Sequence, residues 1–178
     1  MSSISRLTIR PIAGRIILTA LIVAASAFGQ DAQRAKVRVL VLCTGNSARS
    51  QMTAGFLKSW DNNRLDVYSA GTAPAPKINP FAVQAMREVG IDISNGYPKS
   101  VMQFVGQSFD YVITVCDDAD KNCPNFTGKV GRRVHMGFPD PASATGTDAE
   151  KMNVFRKVRD DIQKRFRQFY DSEMKKSL

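Results

Sequence analysis

Cys43 and Arg49, with five residues between them in CTGNSARS (43–50), are types that could hold a tetrahedral oxyanion against a thiolate. Successive N–H groups of Thr44, Gly45, Asn46, Ser47, Ala48 and Arg49 can curl around an anion as a nest. A helix starting behind them adds its positive end. Arg49 brings a planar fork that grips two oxygens at once. The same positive field is expected to hold the Cys43 thiol well below its ordinary range. Gly45 and Asn46 tolerate the left-handed backbone of a tight loop, and Ser50 is placed to hydrogen-bond the sulfur. A cysteine after a strand is more often a small buried hydrophobe. The apolar run before Cys43, the Gly-Asn pair, the serine after Arg49 and the helix-like segment behind favour the oxyanion reading.

Two further cysteines, Cys116 and Cys123, bracket the polar segment CDDADKNC. Zinc would want a second pair of ligands, and the chain offers one more cysteine and the distant His135, so no metal is expected. A structural disulfide is one reading of the pair, especially if the protein is exported. Thiol–disulfide exchange with a polarised Cys43 is the sharper one. Asp140-Pro141 reads as a turn, or as a general acid or base near the anion. His135 reads as a structural residue beside a strand.

These residues need elements to position them. VRVLVL (37–42) suits a central parallel strand ending at Cys43. A helix over 51–60 would carry Met52, Phe56 and Trp60 on one face. Strands are expected at 66–70, at 110–115, delivering Cys116, and at 133–136. Asn79-Pro80 opens a helix as N-cap and first residue, and Gly90 stops it. Residues 101–107 suggest a short helix, and 117–131 and 138–146 loops. Thr147 and Glu150 form a capping box ahead of a last helix striped with Phe155, Val158, Ile162, Phe166 and Phe169. Alternating strands and helices imply an α/β fold, a parallel sheet with helices on both faces. Ligands in such folds sit beyond the strands' C-terminal ends.

The chain has 178 residues, 43% hydrophobic and 23% charged, which fits one domain with a sizeable core. Of its net charge of +9, Arg6, Arg10 and Arg15 supply three, leaving +6 beyond an acid-free start. That modest excess suits an anionic substrate. No basic stripe interleaved with aromatics points to nucleic acid. The three arginines precede the apolar run Ile16–Phe28 and the small triplet Ala25-Ser26-Ala27, the pattern of a secretory signal peptide, with cleavage expected after Ala27 or Gly29. Residues 1–30 are therefore read as a leader, the alternatives being an uncleaved anchor or a translation start placed too far upstream.

CTGNSARSQM (43–52), CDDADKNC (116–123) and HMGFPDPA (135–142), with VYSAGT (67–72) and GIDISN (90–95), together resemble the thioredoxin-coupled arsenate reductases. The likeness runs from about Val37 to Tyr170, placing a domain over 37–172. It implies the low-molecular-weight tyrosine phosphatase fold: a three-layer sandwich around a four-stranded parallel sheet. It also implies arsenate, or phosphate, bound by residues 44–50; attack by Cys43 with Asp140 as proton donor; and a disulfide passed from Cys43–Cys116 to Cys116–Cys123. Thioredoxin or a similar reductant would then reset a monomeric enzyme that has no cofactor. Asn46 would hold the loop and Ser50 would tune Cys43.

Ala54 and Lys99 depart from relatives that bind potassium, which carry Glu and Asp there; Lys99 is expected to stand in the ion's place. The leader suggests export, whereas the resemblance implies the cytoplasm, where thioredoxin is reduced. An exported enzyme would need a periplasmic thioredoxin-like reductant, or Cys116–Cys123 would stay oxidised as a staple. A phosphatase acting on phosphate monoesters through a phosphocysteine would use Cys43, Arg49 and Asp140 but neither Cys116 nor Cys123. A non-catalytic anion-binding or redox-sensing protein is the third reading.

Overall fold

A computed structural model describes residues 36–177; the leader expected over residues 1–30 lies outside them. Four strands form one all-parallel sheet in the order β2-β1-β3-β4, with β1 at Val37–Cys43, β2 at Leu65–Gly71, β3 at Phe109–Thr114 and β4 at Val130–His135. β1 lies between β2 and β3, so its consecutive residues Val39, Leu40, Val41 and Leu42 are all buried. Side chains alternate across a sheet, so this run means that both faces are covered. β4 is an edge and exposes Arg132 and Arg133, charges that discourage pairing with another sheet.

The helices are α1 (Arg49–Asp61), α2 (Pro80–Arg87), α3 (Asp117–Lys121) and α4 (Asp148–Phe169). α1, α2 and α4 pack on one another, and α1 also covers β1 and β2. Met52 and Phe56 are buried as their spacing requires, and Phe56 stacks on the partly buried Trp60 at 5.7 Å. Asn79 caps α2 through its side chain, accepting from Phe81 N at 2.9 Å, and Gly90 follows the helix at φ 78°, a conformation that costs glycine nothing. The Thr147–Glu150 capping box opens α4, with Glu150 accepting from Thr147 N at 2.7 Å. Phe155, Val158, Ile162 and Phe166 of its stripe are buried, and Phe169 packs at the margin.

Three expectations change. The stretch 117–131, read as all loop, contains the short helix α3 immediately after Cys116. Residues 101–107 hold only a single 3-10 turn, Val101–Gln103, and a second turn, Pro141–Ser143, interrupts the loop after Phe138. Five residues carry too little hydrophobic pattern to signal a helix, and Ala119, the buried residue of α3, is small.

Candidate active site

Cys43 ends β1, and residues 44–48 turn into the first residue of α1, Arg49. Asn46 takes φ 48°, the left-handed conformation expected at this loop. The next segment of chain holds the loop from behind. Ala73 N donates to Thr44 O (3.0 Å), Ala75 N to Gly45 O (2.8 Å) and Asn79 N to Ser47 O (2.9 Å). With those carbonyls engaged outward, the peptide N–H groups turn toward the cleft. Ala48, the residue before α1, makes no side-chain cap, leaving the helix start to an anion. Gly71 makes the close approach possible: a Cβ there would strike the Thr44 carbonyl and lie 3.0 Å from Asn46 N.

Beneath the loop every polar group is engaged. Asn46 Nδ2 donates to Ser50 Oγ at 2.8 Å, leaving the Ser50 hydroxyl proton for Cys43 Sγ at 3.0 Å. Asn46 N donates to the same sulfur at 3.1 Å, and Asn46 Oδ1 accepts from Lys99 N at 2.9 Å. Gln51 Nε2 reaches Asn46 O at 3.1 Å and Tyr97 O at 3.3 Å. Lys99 Nζ also donates to Tyr97 O, at 3.3 Å, and lies 4.1 Å from that ring's centre. Ala54 is buried, and Lys99 meets Asn46 through its backbone N–H while its ammonium lies against Tyr97.

The thiol itself departs from expectation. Cys43 is 2% exposed, and burial pushes its pKa up rather than down. The Ser50 side chain and the N–H groups of Ser50 and Asn46 pull the other way without overcoming desolvation. The sequence shows the positive field around Cys43 but not the depth at which the sulfur sits.

Thr44, Gly45, Ser47, Ala48 and Arg49 line a cleft of about 730 Å³, with Cys43 at its floor and Cys116 and Asp140 on its walls. Arg49 Nη2 lies 3.4 Å from Asp140 Oδ1, and its Nη1 donates to Phe138 O at 3.1 Å. Asp140 also accepts from Ala142 N at 3.2 Å, the turn function its Asp-Pro sequence suggests. α4 fixes this wall: Phe138 stacks on Phe166 at 6.0 Å, and Arg165 donates to Gly137 O at 2.9 Å while covering the Phe138 ring. Cys116 is buried and its Sγ lies 3.4 Å from Thr44 Oγ1. Cys123, half-buried beyond the end of α3, lines a different cavity with His135, Asp120 and Arg133. All three cysteines are free thiols. His135 ties β4 to both β3 and α3: Nδ1 is 2.9 Å from Thr114 Oγ1 at the end of β3, and Nε2 is 3.3 Å from Asp117 Oδ1 of α3. Among the described residues no cluster of His, Cys, Asp and Glu could hold a metal ion.

No local pattern marks Gln51, Arg165 or the carbonyl anchors at 73–79, nor the part Gly71 plays beneath the loop. Of these, Gly71 alone left a trace, as the glycine that closes VYSAG after a strand.

A buried thiol, a guanidinium and an amide-lined loop at the C-terminal end of a parallel strand define a thiol enzyme of the α/β class that works on oxyanions. The chain belongs to the low molecular weight phosphotyrosine protein phosphatase family, whose sequence profile matches residues 38–178. It is 48% identical over 134 residues to an arsenate reductase of Halalkalibacterium halodurans, covering 75% of this chain and 95% of that protein. Among solved structures it is similar to an arsenate reductase in the phosphate-binding state, with 29% identity and a TM-score of 0.63 over 75% of this chain and 95% of the other. It is also similar to a thioredoxin-dependent arsenate reductase of Corynebacterium glutamicum, with 26% identity and a TM-score of 0.56 over 78% of this chain and 61% of that one.

Proposed function

We propose that this chain reduces arsenate to arsenite with three thiols, acts as a monomer, and is reset by thioredoxin or a thioredoxin-like reductant. The observation that carries the reading is Cys116: a second buried thiol in the wall of the Cys43 cleft, 3.4 Å from Thr44 Oγ1, for which a phosphatase has no use. Its similarity to arsenate reductases, one of them thioredoxin-dependent, supports the same reading.

Arsenate enters the amide-lined loop and is gripped by Arg49. The bound dianion takes the proton of the buried Cys43 thiol, an exchange favoured because the new thiolate has Ser50 and two backbone N–H groups waiting. Cys43 Sγ attacks arsenic, and an arsenate hydroxyl leaves as water with a proton from Asp140. Cys116, as thiolate, then attacks Cys43 Sγ. The S–S bond forms, the S–As bond breaks with its electron pair going to arsenic, and arsenite leaves. Two electrons have passed from two thiols to arsenic. Cys123 attacks Cys116 next, returning Cys43 as thiolate and leaving Cys116–Cys123 for the external reductant. Because α3 lies between Cys116 and Cys123 in the chain, that last step requires α3 to deform.

Turnover of arsenate with thioredoxin, thioredoxin reductase and NADPH, run beside a phosphate-ester assay, tests this reading. Sustained NADPH oxidation on arsenate is expected. Ester hydrolysis with no arsenate turnover would favour the phosphatase. With Lys99 serving where relatives use potassium, the rate is expected not to respond to that ion; activation by potassium unmatched by sodium would contradict this.

A further inference from the structure

We propose that Arg133 is a positioning residue for the second thiol transfer, holding the Cys123 sulfur by a guanidinium hydrogen bond apart from the substrate cleft. This rests on the three-thiol reading above. Cys43 and Cys116 share the cleft, whereas Cys123 lines a smaller cavity of about 270 Å³ with Thr114, Asp120, Arg133 and His135. In that cavity Arg133 Nη1 donates to Cys123 Sγ at 3.2 Å.

The guanidinium is itself held in place. Its central carbon lies 5.3 Å from the centre of the Phe126 ring, a cation–π distance, and Phe126 packs edge-on against buried Phe109 at 6.3 Å. A line of support therefore runs from the core, Phe109 to Phe126 to Arg133, and ends on sulfur. The neighbouring Arg132 is engaged elsewhere, bonding Glu173 at 2.7 Å. Among the described residues no carboxylate forms an ion pair with Arg133, although Asp120 lines the same cavity; its Nη1 donates to the sulfur.

A cation in contact with sulfur favours the thiolate, the form that attacks a disulfide. Keeping Cys123 on Arg133 also keeps it away from Cys43 while arsenate is bound. When Cys43–Cys116 has formed, Cys123 Sγ leaves Arg133 and bonds to Cys116 Sγ. The old S–S bond breaks, its electron pair goes to Cys43 Sγ, and the number of thiols and disulfides is unchanged. The proton that Cys123 gives up on becoming the attacking thiolate goes to solvent, and the negative charge ends on Cys43 Sγ.

The test uses Arg133→Met and Arg133→Lys in two measurements. One adds arsenate without reductant, quenches in acid at intervals and maps the disulfides by mass spectrometry. Arg133→Met is expected to form Cys43–Cys116 at the wild-type rate and to convert it to Cys116–Cys123 roughly tenfold more slowly, with Lys restoring most of the rate. The other follows iodoacetamide labelling of Cys123 in arsenate-free Cys43→Ser protein at neutral pH. Arg133→Met is expected to label roughly tenfold more slowly although it uncovers the sulfur; a loosened structure would label faster. Support requires both effects. If either rate matches wild type, or if Lys rescues no better than Met, the role of Arg133 is overturned. A wild-type chain that never forms Cys43–Cys116 would overturn the relay instead, and the missing species distinguishes that failure.

Discussion

The loop after β1 and the segment after β3 each follow a central parallel strand and each carry a cysteine, but they are built for opposite purposes. Asn46 and Ser50 are completely buried, and Asn46 alone bonds Cys43, Ser50, Gln51 and the backbone of Lys99. That loop is over-determined, as a preorganised oxyanion cradle must be. The segment after β3 has a five-residue helix with no side-chain cap, exposed Asp117 and Asp118, and a half-buried Cys123. Few buried contacts hold it, so it is the part able to open. In the proposed relay, binding and electron transfer fall to regions of different stiffness, with Cys116 at their meeting point.

Breaking the stiff region should have the largest effect. Asn46→Ala removes the side-chain amide that joins Ser50, Gln51 and the Lys99 backbone, and leaves a left-handed backbone without a side chain that suits it. Arsenate turnover should fall on the order of 100-fold, and denaturant titration should show a loss of about 2–3 kcal/mol. Gly71→Ala tests the same region from behind. Its new methyl meets the Thr44 carbonyl, so a loss of about 1–3 kcal/mol is expected with a raised KM for arsenate.

The buried thiol gives the stiff region a pH signature. Because burial raises the Cys43 pKa in the folded chain, the unfolded chain ionises first as pH rises. In that window the unfolded state binds fewer protons, so this thiol's contribution is fully present below the ordinary thiol range and is lost as pH climbs toward the folded value. In thermal melts, wild type should therefore lose stability relative to Cys43→Ser as the pH enters the alkaline range. A difference independent of pH would show that the thiol is not perturbed in this direction.

The smallest effect belongs to the pliant region. Thr114→Val deletes the hydroxyl that donates to Asp120 at 2.7 Å and meets His135. A stability loss of about 1 kcal/mol is expected, with faster amide exchange confined to α3 and unchanged release of the first arsenite. Faster exchange in the β1–α1 loop instead would erase the distinction between the two regions.

What the sequence could show followed from chemistry local to the chain. Asn79 and Thr147 announced their helices because a cap works on residues two or three away. Cys43 and Arg49 announced the cradle because loop, sulfur and guanidinium lie within one turn of chain. Gly71 and the 73–79 anchors were hidden because they act on a loop that only the fold brings near, as was the bond from Lys99 to Asn46 across 53 residues. α3 was hidden by its brevity, and the raised Cys43 thiol by a depth of burial that no local pattern encodes.

If two electrons leave through three thiols in order, the last of those thiols is needed for every turnover after the first. Cys123→Ser probes this by counting arsenite formed per enzyme with thioredoxin, thioredoxin reductase and NADPH present. One arsenite per chain is predicted, with the enzyme arrested as the Cys43–Cys116 disulfide. Undiminished multiple turnover by this variant would contradict the relay.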